Sequence, residues 1–121
     1  MQIEDVTAGH PAEIVKLFDQ IRQLILSLDD RIDEAAYGGK VVKMISFSVA
    51  RADNVVAVLG PAKGHCKLFL HYPDDIDAQG LKLVGKGKHA RHVKLRPEDD
   101  LDESVIKFVV GQVLAIVLTK V

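Results

Sequence analysis

The apolar period of this chain changes once along its length, and that change constrains the fold more than any other feature. From Pro11 to Leu28 the residues Ile14, Leu17, Phe18, Ile21, Leu24, Ile25 and Leu28 recur at i, i+3, i+4, i+7, with Glu13, Lys16, Gln20 and Gln23 on the other faces. This is the stripe of an amphipathic helix. Pro11 suits the first helical turn, where its missing N–H is not needed, and Glu13 complements the positive end of the helix dipole. From Val41 the period is two. Ile45, Phe47 and Val49 alternate with Ser46 and Ser48, and a β-branched run from Asn54 to Leu59 is bounded by Asp53 and Gly60-Pro61. His65 to Tyr72 then sets Cys66, Leu68, Leu70 and Tyr72 on one face against His65, Lys67, Phe69 and His71 on the other. Such alternation belongs to strands with one covered face. After an Asp-rich turn, Pro73 to Asp77, and a glycine-punctuated stretch, Gly80 to Gly87, residues 89–96 predict a fourth, strongly charged strand.

Between the two regimes, Asp29-Asp30 is expected to end the first helix, and Ile32 to Tyr37 reads as one further short helical turn before Gly38-Gly39. The last segment, Asp102 to Val121, is helical by length, with Asp100 or Asp102 as its cap. Its apolar content exceeds one stripe. Val105, Ile106, Val109, Val113 and Ile116 fill one face, leaving Phe108, Val110, Leu114, Val117 and Leu118 to be covered by something else. Either the helix lies in a groove of the fold or a second subunit covers it, so a homodimer through this helix is one expectation. Hairpin-length connections favour antiparallel pairing. The order of elements predicts an α+β fold in which N- and C-terminal helices pack on one face of an antiparallel sheet of four to six strands. With no repeat or linker in view, residues 1–121 are read as a single domain.

A chain of 121 residues, 48% hydrophobic and 27% charged, buries roughly two thirds of its unfolded surface and needs neither disulfide nor metal to hold together. The lone cysteine, Cys66, excludes an internal disulfide or a thiolate cluster and fits a reducing, cytoplasmic setting. The opening MQIEDVTAGHPAE is acidic first and lacks the order of a secretory signal. The longest apolar run, Phe108 to Leu118, is broken by Gly111 and Gln112 and falls short of the ~18 residues of a membrane span. The formal net charge of -1, from 16 Lys+Arg and 17 Asp+Glu, predicts neither nucleic-acid nor membrane binding. That sum conceals a pattern. Residues 82–96 carry Lys82, Lys86, Lys88, Arg91, Lys94 and Arg96 with no acid, whereas residues 97–103 carry Glu98, Asp99, Asp100, Asp102 and Glu103 with no base.

Gly85-Lys86-Gly87-Lys88 invites comparison with a phosphate loop, but that motif needs four residues between its glycines, a Ser or Thr after the lysine and a following helix. Here one residue separates the glycines, His89 follows, and a strand comes next. Two readings remain: a backbone nest binding an anion with charge from Lys86, Lys88 and Arg91, or a glycine turn with solvated lysines. Arg91 shares parity with Val93 and Leu95, so it points toward the core or one end of it. A guanidinium there requires a carboxylate or carbonyl partner unless it serves a ligand. His65 and His71 lie about 20 Å apart along one strand, and His89 and His92 fall on opposite faces, so no chelating spacing is present. Cys66 alternates with Leu68 and Leu70 as a buried residue would, with both neighbouring histidines on the opposite face, and no convergent acid, base and nucleophile set marks an enzyme. Glu98, Asp99, Asp100 and Asp102 offer hard oxygen ligands for weakly held iron, or serve as caps and solvated turns.

The run Leu83-Val84-Gly85-Lys86-Gly87-Lys88-His89-Ala90-Arg91-His92-Val93-Lys94-Leu95 resembles the signature of the YdhG-like domain-of-unknown-function family. Tyr37-Gly38-Gly39, Lys63-Gly64-His65-Cys66-Lys67-Leu68-Phe69 and the acidic lead into an apolar C-terminal helix agree with it in order and spacing. The resemblance spans roughly residues 12–118. It implies a frataxin-like α+β domain, with some relatives described as intracellular iron chaperones, and it brings no catalytic residues. The expected function is a non-enzymatic binding module with an anion or partner site at the basic 82–96 segment and no cofactor. The alternative is a frataxin-like iron chaperone using the carboxylates.

Overall fold

The computed structural model describes all 121 residues. A short helix α1 (Ile3–Thr7) precedes the long helix α2 (Ala12–Leu26), five strands follow, and helix α3 (Glu103–Leu118) closes the chain. The strands are β1 (Ile32–Gly38), β2 (Lys43–Val49), β3 (Val55–Ala62), β4 (His65–His71) and β5 (Ala90–Leu95). They form one antiparallel sheet in the order β1-β2-β3-β4-β5. This is the expected α+β arrangement, with all helices on one face. Ile45, Phe47 and Val49 of β2, Leu59 of β3 and Cys66, Leu68 and Leu70 of β4 turn inward and meet Ile14, Phe18, Ile21 and Ile25 of α2 in one core. Each such large apolar side chain, fully enclosed, contributes about 1.5–3 kcal/mol.

Two expectations are corrected and one element is added. Residues 32–37 form β1, a strand rather than a helical turn: Ile32 pairs with Val49 and Tyr37 with Met44. Pairing with β2 and burial of Ile32 override the weak strand preference of the Asp-Glu-Ala-Ala segment. The glycines following Tyr37 make the hairpin turn, where Gly38 sits at φ 128 and a side chain would meet the Val42 carbonyl. The N-terminal lead contains α1, which packs on β1 and β2. Pro11 caps α2 from outside instead of opening its first turn.

Strand β3 extends through Gly60-Pro61 because β2's pairing ends at Ile45–Leu59, so no ladder partner requires the missing N–H of Pro61. Asp102 caps α3, its Oδ1 accepting from the backbone N–H of Ser104 at 3.2 Å and of Val105 at 3.3 Å. α3 packs beside α2 over β3 and β4. That groove covers Val110, Leu114 and Val117 together with Ile106, Val109 and Val113, leaving Phe108 exposed on the outer side. No helix is long and apolar enough to cross a membrane.

Candidate functional site

The glycines before β5 have structural duties. Gly85 adopts φ 113, and a Cβ on Gly87 would come within 2.5 Å of the Ala90 carbonyl oxygen. The turn is pinned by Arg91, whose Nε donates to the Gly87 carbonyl at 3.1 Å while its terminal nitrogen faces Asp74 at 3.6 Å. Arg91 does lie on the inner parity, opposite Leu70, and its partners are a carbonyl and a carboxylate of the protein. Lys86 and Lys88 stand exposed. The five residues Gly85, Lys86, Gly87, Lys88 and Arg91 build the turn that leads into β5, and none of them lines the adjacent cleft.

That cleft, of about 520 Å³, opens between β5, the 80–84 segment and the start of α3. It exists because α2 and α3 lie over β3 and β4, leaving the inner side of β5 to loops. It is lined by apolar Val93, Leu95, Val105 and Ile106, by basic Lys82, Lys94 and Arg96, and by acidic Asp99, Asp100 and Asp102. The basic segment and the acidic turn thus border one cleft. Glu98 lines an adjoining, more polar depression with Glu13 and Gln20, to which Asp99 and Asp100 also contribute. The four carboxylates Glu98, Asp99, Asp100 and Asp102 do not converge: no three His, Cys, Asp or Glu side chains are placed to hold a metal ion. Asp102 is also engaged as the α3 cap, and its hydrogen bonds from Ser104 and Val105 hold its carboxyl below the ordinary value.

The feature missed in the sequence is the outer face of the sheet. Its residues across the strands follow from the register: Ala35 opposes Ser46, Ser46 opposes Val58, Val58 opposes Phe69, and Phe69 opposes His92. His92 pairs in turn with Val84 through two backbone hydrogen bonds of 2.8 and 3.1 Å. Phe69 and His92 form a tilted pair with ring centroids 5.2 Å apart. In the adjacent row Lys67 lies directly opposite Lys94. Strands β2 to β5 contain no Asp or Glu at all; their basic side chains are Lys43, His65, Lys67, His71, Arg91, His92 and Lys94. Burial lowers the pKa of His65, His71 and His92, and neighbouring lysines lower His65 and His92 further. The Nε2 atoms of His65 and His92 are enclosed without a hydrogen-bond partner.

Alternation identified both faces of β4 from sequence, but the opposition of Lys67 and Lys94 depends on a register that no single strand reveals. Cys66 is enclosed in the core, its Sγ 3.9 Å from the Ile14 carbonyl, while His65 and His71 face outward, so no thiol–imidazole pair forms. Comparison of the chain with protein families, curated proteins and solved structures gives no match; the functional reading therefore rests on the geometry above.

Proposed function

We propose that the chain is a non-enzymatic binding module whose β4–β5 side receives an anionic partner. The observation that carries this is the Lys67–Lys94 pair. Like charges set directly opposite on a sheet destabilise it, and strands β2 to β5 themselves supply no carboxylate to neutralise them, the acids Asp99, Asp100 and Asp102 bordering only the cleft that Lys94 shares. An anion at this position relieves the repulsion and gains two charge-assisted contacts. The exposed Lys86 and Lys88 beyond β5 support the reading. The anion site expected at the 82–96 segment thus moves from the Gly85–Lys88 turn to Lys94 and its partner strand.

Likeness to the YdhG-like family, carried by residues 83–95, is compatible with such a module and belongs to the same proposal. The test is calorimetric titration with tripolyphosphate at low and moderate salt. Wild-type protein is expected to bind, more weakly as salt rises. Lys94→Glu should abolish binding while raising stability by about 0.5 kcal/mol through a new cross-strand pair with Lys67. Unchanged binding by Lys94→Glu would refute the site.

A further inference from the structure

We infer that the open sheet face binds single-stranded nucleic acid, bases stacking on Phe69 and His92 and phosphates meeting Lys67 and Lys94; this rests on the anion-binding reading above. The apolar stripe Val58, Phe69, His92 and Val84 crosses three neighbouring strands and the segment beside them. None of its members belongs to the core or packs against it. The lysine row lies two residues along the strands from this stripe, a separation of about 6.6 Å. Aromatic faces beside a cationic row are what a splayed single strand requires, because every base has a π-face and every link a phosphate. A duplex keeps its bases stacked inside and offers nothing to Phe69. An acidic peptide satisfies the lysines and leaves the aromatic pair unused. The net charge of -1 is no guide here, because the carboxylates lie outside β2 to β5.

The experiment is fluorescence anisotropy with a labelled oligothymidine of about fifteen nucleotides at low salt, beside a duplex of equal length, a polyglutamate peptide and tripolyphosphate. Oligothymidine is expected to bind more tightly than duplex or peptide. Phe69→Ala should weaken it about tenfold, within the range of a lost base–aromatic stack, and Phe69→Tyr should restore it. Lys67→Gln should reduce the slope of log affinity against log salt by about 0.7. A circular dichroism melt confirms that Phe69→Ala folds, and the tyrosine variant keeps the question open to refutation if it does not. Oligothymidine binding that Phe69→Ala leaves intact overturns the stacking inference, as does tighter binding of duplex or peptide. Binding of tripolyphosphate without oligothymidine overturns it too, while sparing the anion-binding reading. Binding of no polyanion overturns both.

Discussion

Cys66 shows how far one residue could be read without coordinates. Its alternation with Leu68 and Leu70 placed it in the core, and in the structure it is wholly buried. Burial pushes its thiol up to about 12, so almost no thiolate forms near neutrality. A thiol reagent at pH 8 should leave native protein unlabelled and react once per chain in urea; rapid stoichiometric labelling of native protein would contradict this placement. Arg91 was legible in direction, since parity sets it inward, but its partners were not. Asp74 and Gly87 reach it through loops whose path no periodicity encodes. In the Gly85–Lys88 turn, one glycine has a steric duty that the sequence did not reveal. Gly87→Ala, which forces a Cβ against the Ala90 carbonyl, should cost on the order of 2 kcal/mol in urea unfolding. Lys86→Gln, at an exposed position, should leave the midpoint unchanged within about 0.5 kcal/mol.

At the scale of elements, helices and strands with a clean hydrophobic period were legible, and β1 and α1 were not. β1 has one enclosed side chain, Ile32, and its later inward positions are Glu34 and Ala36, so its hydropathy does not show the alternation of its burial, and its identity comes from pairing along β2. It is also tied to the helix layer by charge. Arg22 of α2 makes a two-pronged contact with Glu34, its Nε donating to Oε2 at 2.6 Å and its terminal nitrogen to Oε1. That Glu34 carboxylate raises the Arg22 pKa. Both side chains are about one-fifth exposed, so solvent screens part of the attraction. Glu34→Gln should therefore destabilise by about 1 kcal/mol, less at high salt. An unchanged urea midpoint would show that β1 is held by its ladder and its apolar contacts without help from this pair. The cleft beneath β5 is an element-scale consequence of a five-stranded sheet whose longer helices lie over β3 and β4, and composition could not have located it.

For the whole molecule, the near-zero net charge resolves into layers. Strands β2 to β5 are free of carboxylates, while the acids occupy helices, turns and β1. Sequence revealed a basic segment beside an acidic turn, but only pairing brings Lys67 of one strand against Lys94 of another. The same face governs pH dependence. His65, His71 and His92 titrate below their ordinary value of 6.5 in the folded chain because of burial. The unfolded chain takes up protons there that the folded chain resists. Their stabilisation is thus fully present above about 6.5 and declines as pH falls through it. The shifted carboxylates Asp29, Asp77 and Asp102 lose theirs only near and below their ordinary 3.8. A urea midpoint lower at pH 5.5 than at pH 7.5 is therefore expected from the histidines; a flat or rising midpoint would contradict their enclosure.

The proposed anionic partner would engage the outer face at β4 and β5. Amide and side-chain NMR shifts followed through a tripolyphosphate titration address that engagement most directly. The account predicts saturable changes concentrated at Lys67, Phe69, His92 and Lys94. Absence of saturable changes, or changes concentrated at the Gly85–Lys88 turn or on α3, would contradict it.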